Sequence, residues 1–256
     1  MRIVIVGGSG LIGVKLATSL YAAGHQVISA SRASGVDVIS GEGLAEALAG
    51  AHVVVDVTES SSHEDWALLD FFVTSSRNLL AAEVSAGIGH HIVLSVVGVD
   101  HIKDSGYFRA KLAQEEIVKA SPIPYTIVRS TQFFDFIDRI VRESTEGNIV
   151  RVSPAMIQPV APDDVADALA EIAVASPLNA VVELAGSEAI RLDELTRLVL
   201  SGHEDPRPVI ADPHARFFGA ELGRLSLMPS SALPNSNLRI GPGTVRDWLR
   251  HFITAD

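Results

Sequence analysis

The chain has 256 residues, 47% of them hydrophobic, with a formal net charge of −11 and no cysteine. That length and apolar fraction can bury a full core in one large domain. The acidic balance argues against a nucleic-acid surface, which needs a basic face. The missing cysteines exclude disulfide and thiolate chemistry, a composition that suits a reducing cytoplasm.

The first predicted element is the run Arg2-Ile3-Val4-Ile5-Val6, read as a strand buried on both faces, and Gly7-Gly8-Ser9-Gly10-Leu11-Ile12-Gly13 follows it at once. Residues 14–23 predict a helix that Gly24 ends. Strand, glycine turn and helix in that order are the context of a dinucleotide fingerprint. Gly7 permits the turn, Gly10 lets the backbone approach a pyrophosphate, and Gly13 lets the helix pack on the strand. The free N–H groups over Ser9, Gly10, Leu11 and Ile12 would then hold the phosphates at the positive helix end. The apolar run stops at the turn after four residues, so no signal peptide is expected, and no apolar stretch reaches the roughly 18 residues of a membrane span.

The second strand, residues 26–30, ends in Ser31-Arg32 with no acid before Asp37. A carboxylate here would take the ribose 2′-hydroxyl of NAD, whereas a guanidinium matches a 2′-phosphate, so the expected cofactor is NADP(H). A short third strand is expected over residues 36–39, with Asp37 receiving the adenine amino group. A helix over 42–49 and a strand over 52–57 follow, with Val57 and Thr58 lying along the cofactor. A long helix over 64–86, a strand over 91–97, a helix over 107–120 and a strand over 125–129 continue the alternation. Strand and helix at these intervals predict an α/β fold of the Rossmann type, a doubly wound parallel sheet.

Beyond Arg129 the pattern loosens. Helices are expected over 130–141, 162–175 and 191–200, and strands over 149–152 and 181–184. From His203 on, prolines punctuate a tail that ends in a short helix holding Trp248. The expected organisation is a single domain, with a Rossmann core over about 1–185 and a small C-terminal lobe over about 186–256. Phe133, Phe134, Phe136, Met156, Phe217, Phe218, Leu222, Leu225 and Met228 either roof an apolar pocket or form the lobe's own core, and His214 is a candidate polar group there. Nine histidines invite a metal reading, but no metal-binding spacing occurs. The nucleophile elbow G-x-S-x-G is also missing.

The candidate chemistry lies in Ser95, Tyr107 and Lys111. Ser95 ends a strand, and Tyr107 and Lys111 stand at i and i+4 on one helix face. An ammonium close to a phenol stabilises its anion, so Tyr107 could exchange a proton near neutrality while Ser95 holds a substrate oxygen. Lys111 could also bond the nicotinamide ribose. The alternative is an ordinary amphipathic pair.

With these residues in place, the chain resembles the short-chain dehydrogenase/reductase superfamily, and most of all its atypical NmrA-like branch. The similarity rests on the glycine loop, Ser31-Arg32, Arg77-Asn78-Leu79-Leu80, Leu94-Ser95-Val96-Val97-Gly98, Tyr107 to Glu115, Arg129 to Phe134 and Pro159 to Ala166. It implies that Ser95, Tyr107 and Lys111 are the active-site triad, that Asn78 matches the helix asparagine, and that Thr131, Gln132 and Phe133 lie near the nicotinamide. The expected activity is reduction of a carbonyl or quinone-like group on a small hydrophobic substrate, with no nucleic-acid or membrane partner. The alternative is a redox sensor that binds the dinucleotide without turnover and reports to a protein partner. A sugar-nucleotide epimerase is disfavoured by the small lobe after Leu184.

Overall fold

A computed structural model describes residues 1–230 and 237–253. In chain order the elements are β1 (Arg2–Val6), α1 (Leu11–Ala22), β2 (Gln26–Ala30), α2 (Leu44–Leu48), β3 (Val53–Asp56), α3 (Asp65–Ala86), β4 (His90–Val96), α4 (Gly106–Ala120), β5 (Tyr125–Ser130) and α5 (Ile137–Glu143). They continue as β6 (Thr145–Glu146), β7 (Ile149–Val152), β8 (Met156–Ile157), α6 (Pro162–Val174), β9 (Ala180–Ala185), β10 (Ile190–Arg191), α7 (Leu192–Gly202), β11 (Val209–Ala211), β12 (Arg216–Phe217), β13 (Ala220–Glu221), β14 (Leu238–Ile240) and α8 (Val245–Ile253).

The central sheet has seven parallel strands in the order β14-β9-β5-β4-β3-β1-β2. Alternation within its apolar strands builds both faces. Ile3, Ile5, Val53 and Val55 pack with Leu16 and Leu20 of α1 and Leu169 of α6, while Val4, Val6 and Val54 pack with Leu48 of α2 and Leu79 of α3. The strand order reverses between β1 and β3, and this switch point is where open α/β sheets receive ligands. No helix among the described residues is long and apolar enough to cross a membrane.

Two expected elements take another form. Residues 36–39 make no strand, because the Asp37 carboxylate accepts the Ile39 and Ser40 amides at 2.7 and 3.4 Å and folds the segment into a turn. The helix expected over 130–141 begins only at Ile137, after a 3₁₀ turn over Phe134–Phe136. Before it, main-chain bonds from Thr131 to Leu184, Val160 to Gln132 and Phe134 to Val160 hold the chain extended. Pairing with two neighbouring segments outweighs local helix preference there. A further strand unforeseen in the sequence, β14, joins the sheet beside β9. The apolar cluster beyond the sheet gathers Val99, Ile102 and Phe108 with residues of α5, β7, α7 and the hairpin β12–β13, so it draws on both sides of residue 185.

At the start of β4 lie two buried histidines with opposite tendencies. Burial, with His91 beside it, pulls His90 down to about 4. His91 is pushed up: burial opposes its charge, but the buried Glu83 carboxylate at 2.9 Å from Nδ1 prevails. His90 therefore contributes stability above the ordinary imidazole value of 6.5 that is lost as pH falls toward 4. His91 contributes stability below 6.5 that is lost as pH rises through its folded value. Urea titrations should show His90 costing about 3 kcal/mol between pH 6.5 and 4, and His90→Gln should remove that share of the acid slope.

Candidate functional site

Each glycine of the first loop answers to a close approach. Gly7 sits at φ +85°, and a Cβ there would stand 2.7 Å from the Val57 carbonyl oxygen. A Cβ on Gly8 would stand 2.7 Å from that of Ser29, and one on Gly13 would run into the Gly7 carbonyl and lie 2.7 Å from the Gly8 Cα. The Gly7 and Gly8 amides both donate to the Ala30 carbonyl, so the loop is pinned to the end of β2. The Gly10 amide closes a turn onto Gly7, and Val14 donates back to Gly10. Helix geometry leaves the N–H groups of Leu11, Ile12 and Gly13 without partners inside α1. Ser9, Gly10 and Leu11 are exposed at that end. The result is a bare amide crescent with room for phosphate oxygens.

Ser31 and Arg32 follow directly on β2, where Ser31 caps a 3₁₀ turn over Arg32–Ser34 and Arg32 is exposed. Asp37 accepts the Ile39 amide of its own segment through Oδ1. Asn78 donates to the Val38 and Ile39 carbonyls at 3.0 and 2.8 Å, anchoring that same segment. Val57 and Thr58 lie at the carboxyl end of β3 beside Gly7.

A buried polar chain runs under this crevice. Asp56 accepts the Thr58 amide at 2.9 Å and hydroxyl at 2.7 Å, and its other oxygen accepts Gln114 Nε2 at 3.0 Å. Lys111 donates to Gln114 Oε1 and, at 2.8 Å, to the Leu94 carbonyl. Its Nζ lies 4.5 Å from the centre of the Phe72 ring. Burial pulls this ammonium down, opposed by Glu59, Asp56 and Glu115.

Tyr107 is half-buried, and its hydroxyl donates to Glu59 Oε2 at 2.9 Å. Burial and that carboxylate hold the phenol well above its ordinary range. The sequence predicted the reverse, a phenol lowered by Lys111; instead Lys111 spends two of its three donors on Leu94 and Gln114. Ser95 is only 5% exposed and donates to Glu115 Oε1 at 2.7 Å, within a buried cluster where Arg129 bridges Glu115 and Asp100. The Ser95 and Tyr107 hydroxyls thus serve different carboxylates and do not converge on one acceptor. Three participants were missed: Asp56, Glu59 and Gln114. A carboxylate closing the apolar run Val53-Val54-Val55 was the available signal for Asp56.

Thr131 donates to the Gln158 carbonyl at 2.6 Å, and Phe133 is half-buried against the sheet face covered by α1 and α6. Between them Gln132 is 6% exposed, and neither amide atom has a partner among the described residues. A buried, unsatisfied amide costs about 1–3 kcal/mol and marks a place for an external polar group. His214 is exposed, 3.4 Å from Glu221, and away from these residues in sequence and contact.

A family profile described as NAD(P)H-binding matches residues 7–176, from the first glycine to the residues just past α6. The chain belongs to this NAD(P)H-binding family. No curated protein matches it. Among solved structures it is similar to an NAD-dependent NDP-hexosamine 5,6-dehydratase, TunA, at 19% identity and TM-score 0.74, covering 99% of this chain and 96% of that one. It is also similar to the dTDP-4-dehydrorhamnose reductase of Bacillus anthracis in complex with NADP, at 16% identity and TM-score 0.74 over 100% and 99% of the two chains. A third is the NADPH-dependent quinone oxidoreductase of Escherichia coli, at 17% identity and TM-score 0.69 over 98% and 99%. At these identities the likeness is one of fold.

Both the glycine cradle and the unsatisfied Gln132 amide fit a bound dinucleotide. Gly13→Ala should lower NADPH affinity at least tenfold in a fluorescence titration and reduce stability by about 1–3 kcal/mol, since the added methyl has only backbone to press against.

Proposed function

We propose that the protein is an NADP(H)-dependent oxidoreductase of the short-chain dehydrogenase/reductase superfamily, in its NmrA-like branch. It reduces a carbonyl or quinone-like group on a small hydrophobic substrate in the cytoplasm. The observation that carries this reading is Tyr107 on α4, whose hydroxyl meets Glu59 of the loop that leaves β3 at the dinucleotide crevice.

The amides of Ser9, Leu11 and Ile12 would hold the pyrophosphate, and Arg32, with the Ser31 hydroxyl, the 2′-phosphate. No acid stands at the end of β2 to favour a free ribose hydroxyl. Val57 and Thr58 would line the cofactor, and Thr131 and Phe133, with the Gln132 amide, the nicotinamide end. NADPH supplies the hydride. Tyr107 gives its proton to the developing alkoxide once its hydroxyl turns from Glu59, and the phenolate left behind regains a proton from solvent. Lys111 positions α4 through Leu94 and Gln114. Ser95 fixes Glu115 on the same helix and would reach a substrate oxygen only by leaving that bond.

The engagement of Ser95 and Lys111 with protein partners also favours a second reading, a redox sensor that binds NADP(H), turns nothing over and signals to a protein partner. Turnover separates the two. Tyr107→Phe should keep NADPH affinity and lose about 100-fold or more in NADPH oxidation on a carbonyl and quinone panel. Full turnover by that variant would remove the proposed chemistry, and binding without turnover by the unaltered protein would favour the sensor. Arg32→Ala should cost NADPH about 10- to 100-fold in affinity and leave NADH little changed, matching charge-assisted bonds of about 1.5–3 kcal/mol.

A further inference from the structure

The loop that carries Glu59 to Tyr107 also touches α5. Arg139 of α5 donates through Nη2 to His63 Nδ1 at 2.9 Å, four residues beyond Glu59. Its guanidinium carbon lies 5.1 Å from the centre of the Phe136 ring and 5.3 Å from that of Phe218. Those rings stack on each other at 5.5 Å. One cation is thus fixed by two rings and by the loop that holds the proton donor.

A second observation comes from the backbone. Phe218 and Gly219 are the two central residues of the hairpin between β12 and β13, at φ 47° and 87°. A two-residue turn of this kind demands positive φ at both places, and asparagine or glycine normally supplies it. A bulky phenylalanine in the left-handed region is strained, and strain of this sort gathers at ligand contacts. The turn keeps Phe218 where its ring meets Phe136, Phe217 and Arg139.

Among the described residues the guanidinium has one anionic partner. Its Nε donates to Glu143 Oε1 at 2.6 Å, with both side chains partly open to solvent. Such a pair is weak and readily exchanged for another anion. Nη1 has no partner among the described residues.

We propose that Arg139, walled by Phe136 and Phe218, is a substrate anion subsite. The reducible substrate would be an otherwise apolar, flat molecule carrying one carboxylate or phosphate. This rests on the oxidoreductase reading and narrows its substrate class. A guanidinium pairs with either oxyanion through two parallel bonds, and the rings shield that pair from water while covering the flat apolar part.

The test is calorimetric titration with 4-carboxybenzaldehyde and with its methyl ester, methyl 4-formylbenzoate. It is run on protein saturated with NADP+, where no reduction occurs, and again without nucleotide. The acid should bind at least tenfold more tightly than the ester. Arg139→Gln should erase that preference with unchanged circular dichroism and NADP+ affinity. Glu143→Gln should keep or raise the preference, and Phe218→Asn, a residue suited to the turn, should reduce it severalfold. Equal binding of acid and ester, binding of neither, or a preference that survives Arg139→Gln overturns the subsite. A preserved acid preference in protein that fails to oxidise NADPH overturns the reductase reading alone.

Discussion

The close approach of bare backbone at the carboxyl end of β1 is the constraint on which the rest of the molecule depends. Gly7 turns against the end of β3, Gly8 against the end of β2, and Gly13 brings α1 down onto the backbone of these two glycines. Any side chain at these points would push the strands or the helix apart. Because nothing intervenes, the first turn of α1 aims its unpaired amides into the crevice where the sheet changes direction. Fold and anion binding therefore share one cause. The absence of Cβ atoms that lets the layers close is also what leaves the amides uncovered.

The crevice floor is polar where a sheet interior would ordinarily be apolar. Asp56, Gln114 and Lys111 form a continuous hydrogen-bonded chain from Thr58 to the Leu94 carbonyl. Removing one member would leave another buried and unpaired, which makes the chain act as a unit. It ties β3 to α4, and α4 is the helix that presents Tyr107. The nearby Ser95–Glu115–Arg129–Asp100 cluster ties the same helix to β4 and β5. Tyr107 is thus set by a helix anchored from two sides, while its partner Glu59 comes from a loop.

Much of the fold was legible in the residues. Apolar β-branched runs marked the core strands, and the glycine spacing marked the crevice, because both depend on local chemistry. Residues 36–39 misled because Val36, Val38 and Ile39 have strand character, yet one carboxylate at Asp37 satisfies the backbone more cheaply than a neighbouring strand. The segment after Ser130 misled for the opposite reason, since its extended path is imposed by partners at 158–160 and 184 that no local pattern reveals. The partners of Tyr107 and Lys111 were hidden in the same way. Helical spacing places two side chains on one face, but it does not say which carboxylate a loop 48 residues earlier will bring to the phenol.

That distinction bears on how the site works. A lysine next to a tyrosine would lower the phenol and equip it to take a proton from an alcohol. Here the nearest charge is negative, and the phenol is held protonated. Giving that proton to an oxygen that has just received hydride, as the proposed reduction requires, would leave a phenolate beside Glu59, two like charges within one hydrogen bond. The reverse reaction would start from that same phenolate, so Glu59 opposes both directions alike unless it takes up a proton or swings away.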